Sequence, residues 1–494
     1  MSPEQAPSRA LVIGGGFGGI AAALRLRARG YAVHLVDRCD QLGGRARVFE
    51  RDGFRHDAGP TVLTAPSLFR ELFAMHGRCL DDVVELVTPT PWYRFRFADG
   101  DHFDYGPDEA ATEAEIARIH PPDLAGYREL RRWCDAIHAV GYEQLADQPF
   151  HSFRRMLGQA PSLLKLRSHE SVWQMVCRFL EHDKLRRAFS ITPLLVGGNP
   201  FATTSIYGLI NGLERAEGIW FAMGGTGALI QALAQLMHEV GITVELEAHV
   251  ERLIIENGAA RGAVLASGEQ RRADLVVSNM DPARLYALPD MPRAMFPAIR
   301  RRWGELSMGL YVLYFGTRRQ YPDVAHHTVW FGERYRELLA DIFKRKHLAE
   351  DFSLYLHRPT ATDPSFAPAG CDSFYVLCPV PNLRGGQDWA TEGPRLRDRI
   401  VAALEATLLP GLADTITAEF AMTPEDFRRD YDAEAGAGFS LSPRFTQSAW
   451  FRYHNRGEGL ADLYVVGAGP HPGAGVPGVL NSARTLERLL PARP

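Results

Sequence analysis

Four apolar residues in a row at positions 10–13 make a run short enough for one buried strand. Gly14, Gly16 and Gly19 follow it at G-x-G-x-x-G spacing. From residue 17 the period lengthens. Ile20, Leu24 and Leu26 recur as one face of a helix to about residue 29, and Gly30 stands where a helix cap falls. A second apolar run, 31–36, ends on Asp37. The pattern therefore predicts strand, tight turn, helix and strand, which is the context a dinucleotide fingerprint requires.

Helical patterns dominate from about residue 80 to 240, at 127–142, 153–166 and 171–189. A Gly/Pro-rich stretch at 194–205 turns helical through 206–213, and glycine-rich 219–227 leads to a helix at 228–240. Alternation returns at 243–246. Strand signals at 249–255, 262–266 and 275–278 are separated by turns at Asn257-Gly258 and Ser267-Gly268. Strand-like runs at 310–315 and 374–378 and a helix at 394–408 mark the stretch 290–440. Near the end an apolar strand enters 467–479, with five glycines in thirteen positions, before a helix at 480–490. The fold class read from this is α/β. A Rossmann-type nucleotide-binding domain, discontinuous in sequence, is assembled from 1–75, 241–288 and 441–494. A mixed α+β substrate domain takes 76–240 and 289–440.

The residue types explain the chemistry. Gly14 allows the tight turn, Gly16 allows close approach of a pyrophosphate, and Gly19 allows helix to pack on strand. The pyrophosphate sits at the helix N-terminus, where free N–H groups and the dipole favour negative charge. Asp37 can accept a hydrogen bond from a ribose hydroxyl and repels a 2′-phosphate. Gly44 and Arg45, just past the second strand, bring a guanidinium to the same phosphates. Pro60 and Thr61 lie in a Gly-Pro-Thr stretch that exposes backbone to a flat ring. The loop 467–479 presents a second helix N-terminus, suited to negative charge on the edge of a reduced flavin.

Composition narrows the class. The 494 residues are 46% hydrophobic and 23% charged with a net charge of −4, so no basic field points to nucleic acid. Six scattered cysteines form no C-x-x-C pair and suit a reducing cytoplasm. No signal peptide is expected, and no apolar run reaches the roughly 18 residues that span a bilayer. The His326-His327 pair reads as a solvated turn, and no metal site is expected because no ligand spacing accompanies it.

The chain resembles the bacterial-type carotenoid (phytoene) desaturases, a family within the flavin amine oxidase-like superfamily. Four stretches carry the likeness: G-G-G-F-G-G-I at 14–20; L-G-G-R-A at 42–46 with D-A-G-P-T at 57–61; L-V-G-G-N-P-F-A-T-T-S-I-Y at 195–207 with W-F-A-M-G-G-T-G-A-L at 220–229; and G-A-G-P-H-P-G-A-G-V-P-G-V at 467–479. The resemblance implies FAD as cofactor and a carotenoid substrate drawn from the bilayer. It implies cytoplasmic, peripheral attachment to an anionic membrane surface, and O2 or a quinone as terminal oxidant. The expected reaction is stepwise desaturation of phytoene to neurosporene- or lycopene-type products. Alternatives are a later-pathway or C30 desaturase, a polyene isomerase, an amine oxidase or a non-enzymatic lipid escort. By resemblance Gly14, Gly16, Phe17, Gly18, Gly19, Asp37, Arg38, Gly44 and Arg45 hold the nucleotide. Pro60 and Thr61 lie by the isoalloxazine, Val250 meets the adenine, and Gly467, Gly469, Val476, Pro477, Gly478 and Val479 border the ribityl chain and flavin. Two departures stand out: Pro470 where relatives have Thr, and Arg155 where many have an acid.

No catalytic residue is assigned, because the developing allylic cation is itself acidic and can lose its proton without a dedicated base. His471, between two prolines, is a candidate proton carrier or a structural residue. Residues 152–187 hold eight basic residues (Arg154, Arg155, Lys165, Arg167, Arg178, Lys184, Arg186 and Arg187) against three acids. With Phe153, Leu157, Leu164, Trp173 and Phe179 among them, they suit a helical, membrane-associated part lying on an anionic interface. An ordinary helix packed on its own core is the other reading.

Overall fold

The strand Arg9–Ile13 is the centre of a five-stranded parallel sheet. The order is Leu463–Val465, Leu275–Ser278, Arg9–Ile13, Ala32–Val36, Thr243–Glu245. This is a computed structural model, and it describes residues 7–490. The strands come from three distant parts of the chain, so the sheet is discontinuous in sequence. Ala10, Val12, Val33 and Leu35 face a helical layer made by Phe17–Ala28, Gly225–Glu239 and Val476–Leu489. Leu11, Ile13 and Val36 face an antiparallel sheet of Val250–Glu256, Ala259–Leu265 and Gln270–Arg272. Burial on both faces is why these strands read as continuous apolar runs rather than alternating ones.

Both glycine-rich helices begin earlier than their patterns predict, at Gly225 and Val476. Gly224 and Gly475 take left-handed φ of 84° and 91° just before them. Pro477 sits in the first turn of its helix, where a missing N–H costs nothing. Helix Gly225–Glu239, allotted by pattern to the substrate domain, packs on Phe17–Ala28 through Leu229, Leu233 and Leu236.

The second sheet has seven strands in the order Ile416–Met422, Gly309–Thr317, Asp372–Val380, Leu354–His357, His327–Trp330, Tyr93–Arg96, His102–Tyr105. Neighbours run antiparallel except His327–Trp330 beside Tyr93–Arg96. Helix Trp389–Thr407 covers one face through Leu396, Ile400 and Leu404. The other face meets helices Asp123–His138, Val172–Cys177 and Asp183–Ser190. The last two edge strands come from the stretch read as helical; Tyr93 and Phe95 alternate inward, a two-residue period. The predicted helix at 171–189 breaks in two because the Glu181 and His182 N–H groups donate to the Asp123 carboxylate instead of continuing it.

One transverse rung crosses this sheet. Phe420 pairs with Tyr314, Tyr314 with Tyr375, Tyr375 with His357 and His357 with His327. Tyr93 stands next, its ring 5.9 Å from that of His327. His326 and His327 are therefore buried, and the solvated-turn reading is corrected. Each gains a partner at Nδ1, while its Nε2 and both nitrogens of His357 have none. Tyr355 Oη lies 2.8 Å from His327 Nδ1, and Thr362 Oγ1 lies 2.6 Å from His326 Nδ1. Nitrogens of His326, His327 and His357 come within 4.8 Å of one another. The His326 ring meets the other two edge to face at 4.5 and 4.8 Å between centroids. The His327 and His357 rings stack at 5.4 Å. Burial keeps all three neutral: His326 is lowered to about 3, and His327 and His357 well below the usual range.

Candidate functional site

The fingerprint turn is built by near-contacts that leave no room for side chains. A Cβ on Gly19 would lie 1.8 Å from the Gly14 carbonyl oxygen, so this glycine seats helix on strand. Gly467 and Gly18 crowd Asn279 from the two glycine loops, where added Cβ atoms would stand 2.3 and 2.7 Å from its Oδ1. Gly16 differs. A Cβ there meets only Asn279 Nδ2 at 3.1 Å and the Gly43 oxygen at 3.7 Å, leaving space on the open side.

That space belongs to one continuous cavity of about 830 Å3. Gly14, Gly16, Phe17, Gly18, Asp37, Arg38, Gly44, Arg45, Pro60, Thr61 and Val250 line it. Gly469, Val476, Pro477, Gly478 and Val479 join them from the C-terminal loop and the first turn of its helix. Gly19 and Gly467 do not; they lie behind the wall and hold the loops together.

Polar groups on the wall are matched to an anion and a ribose. Asp37 Oδ2 accepts from the Gly15 N–H and Oδ1 from the Cys39 N–H, which fixes the carboxylate and leaves lone pairs toward the cavity. Arg45 has a buried Nε with no partner. Burial lowers its pKa, opposed by nearby Asp281. An unmatched guanidinium beside a helix N-terminus is the donor set a pyrophosphate takes up. Thr61 Oγ1 stands 2.6 Å from Tyr355 Oη, which in turn meets His327 of the sheet rung.

Arg452, fully buried, holds the second glycine loop. Its Nη2 donates to Ala468 O at 2.9 Å, its Nε to Pro470 O at 3.2 Å and its Nη1 to Leu441 O at 3.2 Å. Burial lowers its pKa from the usual guanidinium value. His471 is lowered to about 4 by burial, and its Nε2 donates to Leu145 O at 3.2 Å. The ring is neutral, with its proton committed to backbone.

Away from the nucleotide the cavity turns apolar. Phe153, Met156, Leu157, Ala160, Leu163 and Leu164 of helix Phe153–Lys165 line its outer end. Of the stretch 152–187, only this helix suits a surface role. Val172, Met175, Val176, Leu180 and Leu185 are core. Arg178 pairs with Glu170 and lies over Trp133, Lys184 bridges Asp99 and Asp101, and Arg187 binds Asp183. The side chain of Arg155 lies outside the described residues.

Sequence reasoning passed over Asn279, Asp281, Arg452, Tyr355 and Glu214, all near or on this cavity. For Asn279 and Asp281 a signal existed: they follow the strand Leu275–Ser278, and in a parallel sheet the crevice beyond the carboxyl ends of strands is where ligands bind. Arg452 sits in a stretch without periodicity.

The family model described as flavin containing amine oxidoreductase matches residues 17–486. A lycopene-forming phytoene desaturase of Pseudescherichia vulneris is 47% identical over 485 residues, covering 98% of this chain and 99% of its own length. A neurosporene-forming phytoene desaturase of Cereibacter sphaeroides is 42% identical over 504 residues, covering 100% and 96%. Among solved structures, a putrescine oxidase variant superposes with a TM-score of 0.65 at 12% identity, covering 98% and 99%, a likeness of fold.

Proposed function

We propose that this chain, which belongs to the flavin-containing amine oxidoreductases and among them to the bacterial phytoene desaturases, introduces conjugated double bonds into phytoene, giving neurosporene- or lycopene-type products. It is an FAD-dependent oxidoreductase. The single observation that carries the substrate class is the continuity of the cavity. A nucleotide-shaped end with matched polar groups opens directly into an apolar end lined by helix Phe153–Lys165.

Bound FAD supplies an acceptor for two electrons and one hydrogen from the substrate. The chain's part is to hold and orient. Gly14, Gly16 and Gly18 admit the pyrophosphate, Arg45 balances its charge, Asp37 takes the ribose and Val250 borders the adenine. Arg452 fixes the loop carrying Gly469. Val476 to Val479 bring a helix N-terminus to the ring edge, and Pro60 and Thr61 face the ring. Apolar walls exclude water and align the polyene, and positioning of this kind is worth several kcal/mol.

The reading extends to membrane docking. Helix Met295–Trp303 is turned inside out: Arg300 is buried against Glu458 at 2.6 Å, while Met295, Ile299 and Trp303 face solvent. Phe153, Leu157, Leu164 and Phe445 are exposed nearby, and Trp450 joins the helices by ring contacts to Phe153 and Phe296 at 5.0 and 5.3 Å. Exposed Arg154, Lys165, Arg293, Arg301 and Arg302 flank the patch. Contiguous exposed apolar side chains rimmed by cations suit an anionic bilayer surface. No helix among the described residues is long and apolar enough to cross a membrane. Expression in phytoene-accumulating cells tests the function. Yellow to red pigment is expected, and colourless cells containing flavin-loaded protein would overturn it.

A further inference from the structure

Five acids line the cavity: Asp37, Glu214, Asp281, Asp430 and Asp432. Three have ordinary partners, and Asp281 holds one backbone N–H on Oδ1 while its Oδ2, without a hydrogen bond, feels the charge of Arg45. Asp37 accepts from the Gly15 and Cys39 N–H groups, Asp430 pairs with Arg47 and Arg429, and Asp432 with Arg284. Glu214 is different. It sits in helix Leu209–Glu217, 1% exposed, on the cavity wall with Ile210 and Leu213 of the same helix. Tyr93 Oη donates to its Oε1 at 3.1 Å. Among the described residues no ion pair involves it. The nearest cation in sequence, Arg215, is turned to Glu109 at 2.6 Å.

The groups facing Glu214 from neighbouring elements are Tyr93 and Tyr105 of the sheet and Cys134 of helix Asp123–His138. Burial raises the pKa of all three, so each is neutral at physiological pH. Tyr93 stands beside His327 of the rung, whose Nδ1 meets Tyr355 Oη, which in turn meets Thr61 Oγ1. Glu214 thus stands where hydrocarbon-shaped space meets the polar rung.

We propose that the Glu214 carboxylate takes the proton released in each desaturation. The inference rests on the desaturase reading above. For each double bond, one carbon gives up a hydrogen with its electron pair to bound FAD. On the adjacent carbon a C–H bond breaks, its electron pair becomes the new π bond, and the proton forms an O–H bond on Glu214. A carboxylate in an apolar wall is a far stronger base than one in water. Burial raises Glu214 to about 8, opposed by the Tyr93 hydrogen bond. The imidazoles are displaced the other way, His471 to about 4 and His327 well below its usual value, and are poor acceptors.

The test is anaerobic single-turnover bleaching of the flavin by phytoene in liposomes, followed from pH 6 to 9 with the full-length holoenzyme. The wild-type rate should rise through an apparent pKa near 8. Glu214→Gln should keep flavin content and thermal midpoint, lose about 10^2–10^4-fold in rate, and flatten the pH profile. Glu214→Asp should restore part of the rate. Tyr93→Phe removes a hydrogen bond to the charged form and should move the inflection upward. A Glu214→Gln rate within threefold of wild type with an unchanged profile would overturn the proposal, as would an inflection unmoved by Tyr93→Phe. A flavin-loaded wild type that phytoene never bleaches would overturn the desaturase reading and this inference with it.

Discussion

The Nη2 of Arg452 donates to the carbonyl of Ala468 across 2.9 Å, in an interior where the guanidinium is fully buried and its three partners are all backbone oxygens. Arg452→Met keeps apolar bulk but orphans the carbonyls of Leu441, Ala468 and Pro470. The cost is about 2–4 kcal/mol, concentrated in the second glycine loop. A lower thermal midpoint together with substoichiometric flavin is expected. Full flavin with an unchanged midpoint would show that the loop holds itself.

Gly16 and Gly19 should fail differently. Gly16→Val fills the open side of the turn, so the fold should persist while flavin is lost. Gly19→Ala sets a methyl 1.8 Å from the Gly14 oxygen and should destabilise the whole domain. Absorbance at 450 nm and thermal denaturation separate the two outcomes.

Acid should unfold this protein through its histidines. His56, His454 and His471 are each lowered to about 4 and His326 to about 3, with His327 and His357 lower than their usual range. Desolvation by burial is the leading cause in each. A depressed histidine is neutral when folded and charged when unfolded below about 6.5. The unfolded chain therefore binds more protons there, and stability falls as pH drops from 6.5. Each such group costs about 1.4 kcal/mol per pH unit until its folded pKa is reached. Asp57 opposes this. Burial raises it to about 6, so the folded state gains protons first and stability rises as pH falls through 6 toward 4. Burial likewise raises Glu214, to about 8, and Asp281 and Glu458, but four carboxyls against six imidazoles leave the histidines dominant. Denaturation midpoints should fall steadily below pH 6.5, and His357→Gln should shallow that slope. A midpoint independent of pH between 4 and 6.5 would refute the assignment.

Changing Trp303, Ile299 and Leu164 together to Ser should abolish sedimentation with anionic liposomes while flavin content stays normal. Each side chain contributes about 1.5–3 kcal/mol when fully buried in an apolar phase. Undiminished sedimentation would move the docking surface elsewhere.

The parallel sheet was legible because burial on both faces leaves unbroken apolar runs such as 10–13, and because the turn chemistry of Gly14 is local. The rung was not. His327 and His357 are polar residues in strands, and only the cross-strand neighbours Tyr93, Tyr355 and Tyr375 make them interior. Glu214, three residues before Glu217, has the spacing of a solvated helix face; its environment is set by Tyr93, 121 positions earlier. Helix Met295–Trp303 defeats periodicity in the opposite sense. Met295, Ile299 and Trp303 recur as a core-facing stripe would, yet the buried members are Pro297 and Arg300. Hydrophobic spacing reports that a face is apolar and is silent on whether protein or lipid covers it.

Because the cavity opens at the same helix that carries Phe153, Leu157 and Leu164, substrate never has to traverse bulk water once that face rests on lipid. Search then takes place in two dimensions. What governs encounter is the mole fraction of polyene in the leaflet and the number of enzymes per unit area, and molarity in the surrounding solution drops out. Diluting the vesicles with buffer should leave turnover unchanged, whereas diluting the substrate with inert lipid should slow it.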